Sequence, residues 1–219
     1  MTKQTLTLTD ALQAYVVANG SEPDEIVRDL IAETASVLPG EAGMQIAREQ
    51  AALMTLLTRI AGARTAVEIG TFTGLSSIAI ARGLGAGGRL ICFDVSDEFT
   101  SIARRYWDRA GLSEQIELRI GPAAETVAEL PDEPHLDLAF VDADKTGYLR
   151  YWELLVPRMR PGGLILLDNV LRHGHIVNPD PGDAGTIAMI EVNRRVLADE
   201  RVESVMLPIA DGLTMARKL

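Results

Sequence analysis

Apolar residues recur along the first sixty positions with the spacing of helices. Ala11 to Ala18 forms a short segment that Asp10 can cap and Asn19-Gly20 ends. Ser21-Glu-Pro-Asp-Glu25 opens a second, with Pro23 expected in its first turn and acids favoured by the helix dipole. Ile26, Val27, Leu30, Ile31 and Ala35 then fall on one face, and Pro39-Gly40 stops the run. A third segment, about 48–60, is apolar at Leu53, Leu56, Leu57 and Ile60.

The pattern changes once, at Thr65. Short β-rich runs at 65–69, 89–93, 116–120, 137–141 and 163–167 alternate with helical stretches at 75–84, 97–110, about 122–130 and 148–159. The runs do not alternate strictly, as expected of strands covered on both faces. A loop, a helix around 185–199 and strands near 201–207 and 213–217 complete the chain, with Gly212 in the last turn. The order predicts an α/β fold: a doubly wound, seven-stranded, mostly parallel sheet closed by an antiparallel hairpin. It is read as one domain, with a helical cap over 1–61 and an α/β core over 62–219.

Composition narrows the class. The 219 residues carry 21 Lys+Arg against 31 Asp+Glu, a net charge of -10. Polyanion binders need basic patches, so this balance argues against nucleic acid and against an anionic membrane surface as partners. The single cysteine, Cys92, forbids an internal disulfide and reads as a small core residue. No apolar run is long enough to span a bilayer, and Met1-Thr-Lys-Gln-Thr-Leu6 has no apolar signal core. A cytoplasmic protein is expected.

In open α/β sheets ligands bind beyond the carboxyl ends of the strands. There the sequence collects glycines and acids. After the first strand, Glu68-x-Gly70-x-x-x-Gly74 lets the backbone turn and a ligand approach, and the next helix points free N–H groups at the site. This is not the G-x-G-x-x-G of dinucleotide folds. Glu68 suits an ammonium group, and Asp94, ending the second strand, can accept both hydroxyls of a ribose. Carboxylate, ammonium and ribose together describe S-adenosylmethionine. Alone, the glycines are equally compatible with an ordinary strand–helix turn.

Asp142 and Asp168-Asn169 end two strands expected to be neighbours. Two carboxylates and an amide oxygen form a hard set suited to Mg²⁺, Mn²⁺ or Ca²⁺, with about three positions left for water or substrate oxygens. A helix cap at Asp142 and an Asx turn at 168–169 are the plainer alternatives. Lys145 lies one turn after Asp142. A divalent cation nearby favours its neutral form, which can remove a proton from a hydroxyl. Asp144 is given no role. His173 and His175 follow in a loop that faces substrate or solvent, and Met44 and Ile46 read simply as core. Arg104-Arg105 reads as a solvated face, and Trp107 and Trp152 as core or subunit interface.

With these residues in place the chain resembles the cation-dependent, small-molecule O-methyltransferases of the catechol and caffeoyl-coenzyme A type. The matching stretches are VEIGTFTGLSS (67–77), ICFDVS (91–96), DLAFVDADKTGYLRYWE (137–153), PGGLILLDNVLRHG (161–174), DGLTMARK (211–218) and MQIAREQ (44–50). The resemblance implies a Rossmann-like methyltransferase fold that transfers a methyl group to a vicinal dihydroxy aromatic small molecule. It implies that Glu68, Gly70, Phe72 and Ser76 hold the methionine part of the cofactor and Asp94 its ribose. Met44, Ile46, Ala123 and Asp142 would line the same pocket. Asp142, Asp168 and Asn169 would bind Mg²⁺, and Lys145 would be the catalytic base. Lys145, Arg172 and His173 would face the phenolic substrate, and a homodimer is expected. Arg172 stands where relatives often carry Trp, and Ala51-Ala52-Leu53 where they carry Gly-Gln-Phe. Two other classes stay on the table: a nicotinamide-dependent oxidoreductase, against which the missing dinucleotide motif argues, and a non-catalytic cofactor-binding protein.

Overall fold

The computed structural model describes residues 6–219; residues 1–5, and with them most of the segment read as lacking a signal core, lie outside it. Three helices come first: α1 Asp10–Ala18, α2 Glu25–Val37 and α3 Arg48–Ile60. The caps differ from expectation by a few residues. Thr9 accepts from the Leu12 N–H in front of α1, and Asp24 from the Val27 N–H in front of α2, which leaves Pro23 outside the helix. Asp10 is as cap-competent by type as Thr9 and becomes the first residue of α1 instead.

The core then alternates β1 Thr65–Ile69, α4 Leu75–Gly83, β2 Arg89–Asp94, α5 Asp97–Arg109, β3 Ile116–Ile120, α6 Ala123–Thr126, β4 Leu136–Val141, α7 Tyr148–Arg158, β5 Met159–Asp168, α8 Ala184–Leu197, β6 Val202–Leu207 and β7 Leu213–Lys218. The sheet order is β3-β2-β1-β4-β5-β7-β6. The first five strands are parallel, and β7 runs antiparallel between β5 and β6. The order reverses between β1 and β4, where open sheets of this kind leave a crevice for a ligand.

β5 begins earlier than the sequence suggests, at Met159 rather than Gly163, because 161–163 (Pro-Gly-Gly) forms an irregular extension. Its register against β4 jumps between Leu136 and Leu138, and Gly162 takes φ +84°. Such an irregularity tolerates a proline that a regular ladder would not.

Alternate side chains of the central strands feed two cores, one on each face. Val67, Ile69, Ala139 and Val141 pack with Trp152 of α7. Ala66, Leu90, Cys92, Leu138 and Phe140 pack with α4 and α5 and with Leu30 and Met54 of the cap. Both tryptophans are core: Trp152 donates to Asp199 at 2.9 Å and Trp107 to Ser77 at 2.9 Å. Arg104 and Arg105 are exposed and pair with Asp97 and Glu33. No helix among the described residues is long and apolar enough to cross a membrane.

The cap is fastened by buried polar contacts. Thr34 of α2 donates to Thr73 at 3.1 Å, and Gln45 donates to both hydroxyls. This seats residues 42–47 over the carboxyl ends of β1 and β2.

Candidate active site

One cavity of about 640 Å³ opens over the ends of β1, β2, β4 and β5, roofed by residues 43–50. Its size falls in the range of small-molecule sites. Met44, Ile46, Gly70, Phe72, Ser76, Asp94, Ala123, Asp142, Lys145, Asp168, Asn169, Arg172 and His173 all line it. Met44 is half exposed at its rim and is not a core residue.

Glu68 is the exception. Strand periodicity turns it away from the cavity, opposite Cys92 of β2, and it is fully buried. Burial pushes its carboxyl up to about 8, partly offset by the nearby Ser76, Cys92 and Thr71. None of these is aligned as a hydrogen bond, and both oxygens stay buried without a partner. Glu68 thus stands just outside the cavity lining, behind Thr71 and Ser76, with two oxygens that still lack a donor.

This burial carries a pH signature. The unfolded glutamate ionises near its ordinary value of 4.5, whereas the folded one keeps its proton up to about 8. Between those values the folded state binds the extra proton, so stability falls as pH rises through that window. Asp168, also held protonated above its ordinary value, adds a fall at lower pH, and Glu68→Gln removes the share due to Glu68. At pH 9 the variant is expected to be more stable by on the order of 3–5 kcal/mol. Melting curves at pH 5 and 9 check this: the pH slope of the variant should be markedly shallower than that of wild type, leaving the share due to Asp168, and an unchanged slope refutes it.

The glycine loop is shaped by the chain itself. Gly70 has φ +89°, and a Cβ there would stand 1.9 Å from the Asp142 carbonyl oxygen. The close approach expected from a ligand is made by the end of β4. Gly74, also at φ +89°, leaves room for Ala103 and Trp107 of α5. Asp94 holds the loop: Oδ2 accepts from the Thr71 and Phe72 N–H groups at 2.8 and 2.9 Å, and Oδ1 from Ser96 at 2.8 Å. Three of the four acceptor positions of a carboxylate are thus used, leaving room for one ribose hydroxyl rather than two. Phe72, at φ +51°, meets Phe99 edge to face at 5.0 Å on the cavity wall.

The acids converge as their strand ends predict. β4 and β5 pair through Val141 and Leu167, which brings Asp142 and Asp168 together. Asp168 is nearly buried and is pushed up to about 7, first by burial and then by the Asp142 charge. Gln50, the Asn169 N–H and Lys145 pull the other way. Asn169 takes φ +55°, and its N–H donates to Asp168 Oδ1 at 2.7 Å. Among the described residues no three His, Cys, Asp or Glu cluster as a metal site. The set here is two carboxylates and one amide, hard oxygen donors whose charge Lys145 only partly balances, and it fits a divalent cation of the Mg²⁺ type.

Lys145 Nζ donates to Asp142 Oδ1 at 3.0 Å and to the Tyr148 hydroxyl at 2.9 Å. Tyr148 is fully buried and turns its own hydroxyl to the Val141 and Asp168 carbonyls. Asp144, which the sequence left without a role, accepts from Tyr151 at 2.5 Å at the cavity mouth. Arg172 and His173 both adopt positive φ, 48° and 53°. Asp211 anchors that strained loop by accepting from the His173 N–H at 2.5 Å. Arg172 faces Thr186 and Asp183 at 3.4 and 3.9 Å. His175 is exposed and does not line the cavity. Gln50, Phe99, Tyr148, Tyr151 and Asp211 were not singled out by the sequence.

A family model described as O-methyltransferase matches residues 18–219. A Dictyostelium discoideum protein named "Probable caffeoyl-CoA O-methyltransferase 1" is 38% identical over 209 residues, covering 94% of this chain and 90% of that protein. Tricin synthase 1 of Oryza sativa subsp. japonica is 35% identical over 233 residues, covering 100% and 92%. A crystal structure of the O-methyltransferase from Bacillus cereus in complex with SAH matches with a TM-score of 0.86 at 30% identity, covering 95% of this chain and 97% of that one. With a family model matched over residues 18–219 and relatives at 35–38% identity along nearly their whole length, the chain belongs to the S-adenosylmethionine-dependent O-methyltransferases.

Proposed function

We propose that the protein methylates one oxygen of a vicinal dihydroxy aromatic small molecule, in a reaction that needs a divalent cation. The carrying observation is the juxtaposition of Asp142, Asp168 and Asn169 with Lys145 on one cavity wall. Bound in this cavity, S-adenosylmethionine supplies an electrophilic sulfonium methyl, and a divalent ion supplies positive charge beside an acceptor oxygen.

The chain's own residues do the rest. Asp142, Asp168 and the Asn169 amide oxygen would hold the ion, and three ligands leave positions for two adjacent substrate oxygens. This is what favours a vicinal diol over a single phenol. Lys145 Nζ, fixed from two sides, is placed to take the proton of the attacking hydroxyl. The Gly70–Ser76 loop, Asp94 and the 44–46 segment orient the methyl donor and exclude water above it. The support for the finer reading is the hard donor set and the names of the relatives, "Probable caffeoyl-CoA O-methyltransferase 1" and "Tricin synthase 1" among them.

The test is methyl transfer to a panel of catechols, flavonoids and hydroxycinnamoyl thioesters, with Mg²⁺ and with excess EDTA. Turnover is expected only with the cation and only for adjacent hydroxyl pairs. Undiminished turnover in EDTA removes the ion from the mechanism.

A further inference from the structure

Gln50 joins parts of the site that are far apart in sequence. It sits on α3 of the cap, is 1% exposed and lines the cavity. Its Nε2 donates to Asp168 Oδ2 at 2.7 Å, across 118 residues of chain. Its Oε1 is buried and has no hydrogen-bond partner.

A buried amide oxygen left unpaired costs free energy, and such groups are normally matched. Because Gln50 borders the cavity, a donor on a bound molecule is the natural match. S-adenosylmethionine offers ribose hydroxyls, an adenine amine and an ammonium group. The ribose end belongs to Asp94 on β2, and β5 lies three strand spacings away, about 14 Å. A cofactor whose ribose is held at Asp94 would direct its amino-acid tail toward the Asp142–Asp168 side, where the carboxylates also favour a positive group.

We propose that Gln50 is a positioning residue for both ligands: its amide N–H holds Asp168 in place, and its carbonyl oxygen accepts from the cofactor ammonium. The cap helix thereby ties cofactor seating to the geometry of the metal ligands. This rests on the reading of the cavity as a cofactor and cation site.

The test uses binding, not turnover. Wild type, Gln50→Leu and Gln50→Glu are titrated calorimetrically with S-adenosylhomocysteine and with 5′-methylthioadenosine, which shares the nucleoside but lacks the amino-acid tail. Mn²⁺ binding to the cofactor-free protein is followed by electron paramagnetic resonance. Gln50→Leu is expected to weaken S-adenosylhomocysteine about 10–100-fold, the worth of one hydrogen bond to a charged group. It should leave methylthioadenosine within twofold, and weaken Mn²⁺ about 10–100-fold through the freed Asp168. Gln50→Glu keeps an acceptor oxygen and is expected to hold S-adenosylhomocysteine within threefold of wild type.

Equal losses for the two nucleosides would assign Gln50 a merely structural role and overturn the proposal. So would an unchanged S-adenosylhomocysteine affinity in Gln50→Leu, which would make an acceptor hydroxyl the missing donor. A wild type that binds neither S-adenosylhomocysteine nor Mn²⁺ overturns the underlying reading of the site instead.

Discussion

Lys145→Met is expected to lower kcat by about 10²–10⁴-fold, the range that a positioned general base contributes. Methionine keeps the length and unbranched shape of the stem and removes only the titrating group. Lys145 Nζ bonds Asp142 and Tyr148 and makes no bond to the glycine loop or to the 42–47 segment of the cap. S-adenosylhomocysteine affinity should therefore stay within about twofold. The loss also separates two roles for the lysine. If its ammonium merely balanced the acids, removing it would leave the Asp142–Asp168 pair more negative and cation binding tighter, with turnover largely preserved at saturating Mg²⁺. If it accepts the substrate proton, saturating Mg²⁺ does not restore the rate, whereas raising pH restores part of it by ionising the phenol in solution. Rapid-mix single-turnover assays across pH 7–10 measure both. Turnover within tenfold of wild type at pH 7.5 would falsify the base assignment.

Much of this arrangement was legible because it depends on strand ends. Position in an alternating β–α pattern is enough to say that residues 70, 94, 142 and 168 share one edge of the sheet. The neighbouring of β4 and β5 follows from topology rules with no side-chain detail. What escaped depends on where side chains point or on contacts across long stretches of chain. Glu68 lies in the right strand one residue from the site face, and a period of two turns it inward against Cys92. Gln50 reaches Asp168 across 118 residues, and nothing local to either marks the pairing. Asp94 was legible as an acid at a strand end. Its bonds to the Thr71 and Phe72 N–H groups depend on a loop whose backbone path only the folded chain defines. Asp211 and Tyr148 act through backbone groups of the site, a role that leaves no residue-type signal.

Gly70→Ala is expected to be among the most damaging single-methyl additions this chain can suffer. Two costs add there. An alanine at φ +89° occupies backbone space that L-residues rarely enter, at about 1–3 kcal/mol. The new Cβ also meets the Asp142 carbonyl oxygen at 1.9 Å and its carbon at 2.6 Å, both backbone atoms that cannot swing aside. Relief requires the ends of β1 and β4 to part, at the point where Gly70 N–H bonds Phe93 and Asp142 N–H bonds Ile69. A total of roughly 3–6 kcal/mol follows from strain plus overpacking. For a domain of this size that lowers Tm by on the order of 10 °C. Gly87 supplies the control: it has φ +71° with nothing within 4 Å of an added Cβ, so Gly87→Ala carries the strain alone and about a third of the loss. The two variants should also differ in function. Moving the Asp142 main chain shifts a proposed cation ligand and the anchor of Lys145 together, so Gly70→Ala should lose activity even well below its melting temperature, and Gly87→Ala should not. Thermal unfolding with assays at 15 °C measures both effects. Equal Tm losses in the two variants would show that the Gly70–Asp142 approach is not what demands glycine there.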